Sequence, residues 1–477
     1  MGKKQNKAGI AGIGYAFFLL LLLVILLYCS YSSSLWVDEV FSLKLVNNSW
    51  KELLEKATQD VHPPLYYLML KAFLSVSRLF GLNDVFAGKL FSAVPLFLTI
   101  LIPGRKMAER QGRSSYIFFA VCLTVMPNML NYAIEIRGYS WAMFFVTAAY
   151  AYAGEIMRTG SRRSWYLLVA FGILAAYTHY FACIAVAIVY LGLLGFHGTD
   201  RKFLKNWFIS VLVSCILFFP WLLVFFRQLG MVMGDYWIGP ITWKSLYDYF
   251  RFLFEPPMDM LHVDIILGVA LAAVYGILFI FTLWEKRKRK KRSWLLWGSM
   301  VLILTVAAGI VVSFALRPIF IARYMVVALG CFWIAFAGMA AEHRSGKGKL
   351  VCMAAIILVF AVGFVDTAQF IRWEIIRKAY YEEFAGLLRE ISEDALVVTD
   401  GEHMQGCLSY YLEDEGVAWI SAEELPDVAD AADAEKEIWY FCSQENAEYA
   451  QISGEREAEL LGEYHLEYYS FTVFRIT

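Results

Sequence analysis

Long apolar runs alternate along this chain with short, mostly basic breaks. A bilayer-spanning helix takes about 20 apolar residues. On that measure the pattern predicts eleven spans, at residues 10–31, 85–104, 114–130, 139–157, 164–178, 180–197, 206–226, 263–284, 294–316, 324–341 and 350–368. Residues 164–197 are too long for one crossing and short for two, and the basic residues at both flanks (Arg162 and Arg163, Arg201 and Lys202) favour two. Residues 62–80 are apolar enough to span, but a crossing there would put the basic loop 105–113 outside. That stretch therefore reads as a helix lying along, or dipping into, the outer membrane face. The first apolar run follows Lys3, Lys4 and Lys7 with no convincing small-residue cleavage site, so it reads as a retained first helix.

After residue 368 the pattern changes. An amphipathic helix is expected near 379–392, with Tyr380, Phe384, Leu387, Leu388 and Ile391 on one face. A strand at 396–399, a helix near 403–413, strands at 417–420 and 438–441 and a closing hairpin over 460–476 follow. The chain thus divides into a transmembrane domain, 1–368, with long outer loops at 32–84 and 227–262, and a small α/β domain, 369–477. The tail shows neither a glycine-rich phosphate loop nor a nucleophile elbow, and reads as a solubilising or acceptor-docking module.

Composition supports this reading. Apolar residues make up 60% of the chain and charged residues 18%, against roughly 45–50% and 25% in soluble domains. A soluble globular enzyme, a disordered chain and a collagen-like repeat are excluded. The formal net charge of −1 conceals a split: 7 Lys/Arg and 25 Asp/Glu in 369–477, against 35 and 18 in the rest. The six segments read as cytoplasmic carry 23 Lys/Arg, with the run Lys286–Arg292 as anchor, while the longer outer segments of the membrane body carry 11. This positive-inside bias places the N-terminus in the cytoplasm and, after eleven crossings of the plasma membrane, the acidic tail outside. Basic residues confined to short loops argue against nucleic-acid binding. Six of the eight cysteines sit in or beside apolar runs; Cys407 and Cys442 lie in the tail, where a disulfide is open if that side is oxidising.

Candidate chemistry concentrates in the outer segments. Asp38 and Glu39 follow the first span, flanked by Trp36 and Phe41. Carboxylates partly desolvated at a membrane surface are suited to general-base work; the plainer alternative is a helix N-terminus capped by Ser34 with acids favoured by the dipole. Asp60 and His62 precede Pro63-Pro64, where the prolines force an extended entry into a helix. They suit phosphate contact, or a simple structural turn. Glu135, Arg137 and Tyr139 join two spans, where a Glu–Arg clip and a fork-shaped phosphate donor are both open. Arg323-Tyr324 lies in a further outer turn, and His179-Tyr180 is a weaker case of the same kind. In the outer loop 227–262, beside Asp235, the residues Tyr236, Trp237, Trp243, Tyr247 and Tyr249 supply rings for a sugar face or for an interfacial belt.

In their order along the chain, an outer Asp-Glu, then Asp-x-His-Pro-Pro-Leu-Tyr-Tyr, then Glu-x-Arg-Gly-Tyr after two crossings, resemble the GT-C glycosyltransferases. The protein O-mannosyltransferases and the bacterial aminoarabinose-transferase-like enzymes are the groups most similar. The resemblance covers nearly the whole chain. It implies a helical polytopic GT-C fold and inverting transfer from a polyprenyl-phosphate sugar to a hydroxyl of an envelope lipid, glycan or protein. Asp38 matches the position regarded as the family's base, with Glu39 beside it. Asp60, His62, Glu135, Arg137, Tyr139, Arg323 and Tyr324 match the donor phosphate and sugar region. The absence of a sequon-reading domain argues against an oligosaccharyltransferase. No cofactor is required. Some relatives show a divalent ion here, for which Asp38, Asp60 and His62 offer donors, although no spacing demands one. A transporter or flippase of a lipid-linked sugar is the alternative, but the acids cluster outside the spans rather than at mid-membrane.

Overall fold

The computed structural model describes residues 2–31, 34–197, 200–234, 237–257, 262–412, 417–421, 424–425, 427–428, 436–443 and 457–477. The first helix, α1 (Gly2–Ser30), leads into three short helices at one end of the bundle: α2 (Val37–Asn47), α3 (Trp50–Ala57) and α4 (Leu65–Ser77). Next come α5 (Asp84–Leu101), α6 (Pro103–Gln111), α7 (Arg113–Val125), α8 (Met129–Ile134), α9 (Tyr139–Thr159), α10 (Arg162–Ala176), α11 (Tyr180–His197) and α12 (Arg201–Gly234). The membrane body closes with α13 (Trp243–Phe254), α14 (Val263–Lys288), α15 (Trp294–Ala315), α16 (Val326–Glu342) and α17 (Lys349–Leu388).

Each of the eleven predicted segments is helical. Among the described residues, seven helices are long and apolar enough to cross a bilayer, while Arg113–Val125 is apolar but shorter. The helix ending at Glu342 is 94% buried over its apolar window and forms the centre of the bundle, whereas Arg201–Gly234 is only 11% buried and lies at its edge. The predicted in-plane helix is α4, whose 13 residues are too few to cross.

The polar ends segregate as the sequence implies. At one end, Lys286 pairs with Glu342 (2.8 Å), and Glu155 with Arg158 (2.6 Å) and Arg110 (3.6 Å). The opposite end gathers α2–α4, the turns at 135–138, 177–179 and 317–325, and the tail.

The span 350–368 and the separate helix 379–392 expected from the sequence are one 40-residue helix, α17. Residues 369–378 contain no Gly or Pro, and Phe370 and Glu374 continue its buried face. At 1.5 Å per residue it is about 60 Å long, roughly twice the hydrocarbon thickness. It therefore carries the tail on a rigid stalk.

The tail adds β1 (Leu396–Thr399), α18 (Glu402–Tyr411), β2 (Ala418–Trp419), β3 (Ile438–Ser443), β4 (Ala458–Leu466) and β5 (Tyr469–Ile476). The sheet order is β2-β1-β3-β5-β4, parallel across β2-β1-β3 and antiparallel across β3-β5-β4. One sheet face shares a core with the membrane-end helices: Trp439, Phe441 and Phe471 pack with Leu35, Leu43, Tyr67 and Phe384. The other face buries Val398, Tyr440 and Cys442 in a separate cluster. Cys407 belongs to the first cluster and Cys442 to the second, so the sheet separates them, and both are free thiols.

Candidate active site

The site is built by short segments that the bundle brings together. At the start of α2, the backbone of Trp36 caps the helix and Glu39 Oε2 accepts from the Trp36 amide (3.4 Å). The expected Ser34 cap does not form, because its hydroxyl donates to Glu467 at the tip of the β4–β5 hairpin. Two prolines lead into α4, and the Leu65 amide donates to the Tyr177 carbonyl (3.0 Å), tying α4 to the α10–α11 turn. Gly138 makes the third junction. A Cβ there would lie 3.2 Å from Thr178 Cγ2 and 3.3 Å from Tyr66 Cβ, so a bare backbone is what lets the 135–138 turn approach both.

Asp38 and Glu39 separate sharply. Glu39 is buried. Its Oε1 accepts from the Ile136 amide (3.0 Å) and lies 3.6 Å from Lys89 Nζ, itself buried on α5. Glu39 thus fixes the register of α2 against the 135–138 turn. Asp38 is partly open and pairs with Arg323 (Nη1–Oδ2, 3.2 Å). The Arg323 guanidinium lies 5.2 Å from the Trp36 ring and 5.5 Å from the Trp237 ring, a cation held between two aromatic faces.

Arg137 is buried and largely committed. It donates to the Tyr67 hydroxyl (3.1 Å), Ser42 Oγ (3.4 Å) and the Asp38 carbonyl (3.5 Å), with His62 Nδ1 at 3.5 Å from Nη2. Tyr67 in turn donates to Asp60 Oδ2 (3.0 Å), which lies 3.5 Å from His62. Burial works to raise the Asp60 carboxyl, but His62 and Arg137 overcome it and hold the group down at about 2. Burial first, then nearby Glu39, push Glu135 up to about 8 against the pull of Arg323.

His179 completes the set. Its Nδ1 accepts from the Phe181 amide (3.1 Å), and burial, reinforced by His62 and both guanidinium groups, holds the ring well below the usual histidine range. The ring is therefore neutral with its proton on Nε2. That Nε2 is buried without a hydrogen-bond partner, as are Glu135 Oε1, Tyr139 Oη and Arg323 Nε. Ring centroids place His179 5.5 Å from His62, 5.7 Å from Tyr139 and 5.1 Å from Tyr324. Unsatisfied buried polar atoms cost free energy unless something polar meets them. Four of them around one cluster are the signature of a site shaped for a polar ligand.

A cavity of about 290 Å³ opens beside the cluster. His62, His179, Tyr180, Tyr324 and Gln228 supply its polar groups; Phe181 and Ile184 from α11, Phe225 and Leu229 from α12, Val312 from α15 and the following Leu316 line much of the remainder. Among the described residues no three His, Cys, Asp or Glu side chains form a metal-binding group: Asp60 and His62 are neighbours, while the Asp38 carboxylate is turned to Arg323.

All nine sequence candidates fall in this region, and the structure adds several more. Lys89 carried a signal, as a lone cation inside an apolar helix. Trp36 stood beside a candidate, and Trp237 was itself one of the candidate rings. Glu467 and Tyr468 carried none, yet Glu467 pairs with Arg377 (3.3 Å) and the Tyr468 ring packs edge-on against Trp36 (5.8 Å). In the 227–262 loop, Tyr249 is structural, donating to the Phe320 carbonyl (3.0 Å). Trp243 is exposed. Asp235 and Tyr236 lie outside the described residues.

No protein-family model and no curated protein matches the sequence. Solved structures do. ArnT from Cupriavidus metallidurans in its apo state aligns over 97% of this chain and 98% of its own, with TM-score 0.62 at 11% identity. The same protein bound to undecaprenyl phosphate aligns over 96% and 97%, with TM-score 0.60 at 11% identity. The oligosaccharyltransferase AglB from Archaeoglobus fulgidus, in complex with an inhibitory peptide and a dolichol-phosphate, aligns over 89% and 69%, with TM-score 0.54 at 11% identity. The chain therefore has the GT-C fold that its motifs resemble.

Proposed function

We propose that this protein is a multi-pass membrane glycosyltransferase that moves a sugar from a polyprenyl-phosphate donor to a hydroxyl of an envelope acceptor, inverting the anomeric carbon, on the face that carries the tail. The observation that carries the reading is the Asp38–Arg323 pair, set among unsatisfied buried polar atoms of which one, His179 Nε2, belongs to a residue lining an apolar cavity. The GT-C fold and the undecaprenyl phosphate and dolichol-phosphate in the similar structures support it. The basic loops gathered at the opposite end favour an extracytoplasmic site. Nucleotide sugars are cytoplasmic, so a transferase facing away from the cytoplasm needs a lipid-tethered donor.

On this reading the first isoprene units occupy the cavity between α11, α12 and α15. The phosphate meets Arg323 and the His179 Nε2–H, two donors whose Nε and Nε2 atoms have no hydrogen-bond partner. Arg137, occupied by Tyr67, Ser42 and the Asp38 carbonyl, positions Asp38 and His62 rather than giving its whole fork to the phosphate. The acceptor oxygen attacks the anomeric carbon as Asp38 takes its proton. The bond from that carbon to the phosphate oxygen breaks, and its electron pair leaves on polyprenyl phosphate, where fixed cations offset the developing charge. Glu39 acts through its hold on α2.

The test is reconstitution in liposomes carrying a radiolabelled polyprenyl-phosphate sugar on the tail side. Label appearing on acceptor hydroxyls, with polyprenyl phosphate released, is the expected result. Label crossing the bilayer still attached to its lipid would replace the transferase by a flippase.

A further inference from the structure

A second cavity, of about 1140 Å³, runs between the tail and the membrane-end helices. It exceeds the roughly 300–1,000 Å³ typical of small-ligand pockets, so it holds more than one sugar ring. One wall comes from α2 and α3, the other from α17 and α18. Lys44 Nζ donates to Ser409 Oγ (2.6 Å) and the Leu35 amide to the Tyr411 hydroxyl (2.8 Å), so the two walls are fastened to each other.

The inner end of this groove adjoins the site. Phe41, which lines it, stands one helical turn from Asp38. Asp60, which also lines it, reaches the Asp38 carbonyl through Tyr67 and Arg137. Val61 lines both this groove and the apolar cavity. The segment Asp60–Val61–His62 is thus a partition, with an apolar chamber on the His62 side and a polar one on the Asp60 side.

We propose that the polar groove binds the acceptor, and that the acceptor is an extended neutral saccharide; this rests on the transferase reading above. Amide, hydroxyl and phenol groups line it together with exposed ring faces, the mixture that matches alternating hydroxyls and C–H faces of sugars. Its charged lining balances, Lys44 and Lys56 against Asp60 and Asp84, which disfavours a polyanion. The lining residues lie on helices and turns, with no strand edge to which an extended peptide would add. The position also suits inversion: donor and acceptor reach the reacting carbon from opposite sides of one thin partition.

The test uses the full-length protein and a Lys56→Ala/Tyr410→Ala variant, altered on opposite walls away from the Asp38 cluster. Both are applied to an array of neutral, anionic and peptide envelope oligomers, and both are assayed for hydrolysis of labelled donor, in which water takes the glycosyl group and polyprenyl phosphate is released. Retention of neutral glycans by the native protein, weakened about tenfold in the variant, is expected; tenfold corresponds to roughly 1.4 kcal/mol, the scale of one or two lost contacts. Donor hydrolysis should be equal in the two proteins. Retention of peptides or polyanions instead, no retention, or retention unchanged by the substitutions would overturn the proposal. Loss of donor hydrolysis in both proteins would count against the transferase reading and leave the glycan result to judge the groove.

Discussion

Glu39 and Asp38 are adjacent in sequence and opposite in circumstance. Glu39 and Lys89 are both buried, 3.6 Å apart, and each is the other's compensation. Removing one partner of such a pair leaves an uncompensated buried charge at a cost of about 3–5 kcal/mol. Glu39→Ala is therefore expected to lower the unfolding temperature in detergent, with much of the loss recovered in Glu39→Gln/Lys89→Met. A single variant as stable as the native protein would remove Glu39 from its positioning role. Glu135 supplies a second residue-level prediction. Its carboxyl, held up at about 8, is neutral at pH 7 and ionises as pH rises past that value, adding a negative charge beside Asp38 and the departing phosphate. Transfer should fall on the alkaline side with an apparent pKa near 8, and a Glu135→Gln pH–rate profile should lack that limb. An unchanged limb in the variant would assign it elsewhere. The sequence revealed these carboxylates as a cluster. It did not reveal which was free, because that depends on Lys89, the Ile136 amide and Arg323, which come from distant segments.

Among the elements, the β4–β5 hairpin does more than close the tail sheet. Its tip, Glu467 and Tyr468, reaches Arg377 on α17, Ser34 ahead of α2 and the ring of Trp36, the same ring that faces the Arg323 guanidinium. The tail thus bears on the segment that carries Asp38. Glu467→Ala leaves the Ser34 hydroxyl without its partner and Arg377 with Glu374 and Tyr468. It is expected to lower the transfer rate several-fold while changing the donor KM little, with Glu467→Gln recovering part of the rate by keeping the Ser34 contact. Full activity in Glu467→Ala would confine the hairpin to a structural part. The strands themselves were legible: 396–399, 438–441 and the closing hairpin fall where apolar runs lie between polar breaks. The continuity of α17 was not, because the composition changes at 369 while the helical periodicity does not. The two tail thiols show a similar limit, since spacing carries no record of which sheet face each occupies.

At the scale of the whole molecule, a GT-C bundle presents two unlike chambers on either side of the 60–62 partition, with the Asp38–Arg323 pair beside it. Identity of 11% to the similar structures leaves little of the sequence in common, yet the fold covers nearly the full chain. What the sequence showed at this scale was the apolar periodicity and the order of the polar motifs. What it could not show was the pair of cavities, which exist only once α4, the α10–α11 turn and the tail have packed. The proposed function turns on whether the Asp38 carboxylate removes the acceptor proton next to a lipid-borne phosphosugar. The most direct test measures Asp38→Asn in two ways, by binding of undecaprenyl phosphate and by transfer of label from a polyprenyl-phosphate sugar. Asp38→Asn is expected to give a folded protein that binds the lipid as the native one does and transfers slower by roughly 100- to 10,000-fold, the range for loss of a general base. Transfer at close to the native rate would contradict the proposed role of Asp38.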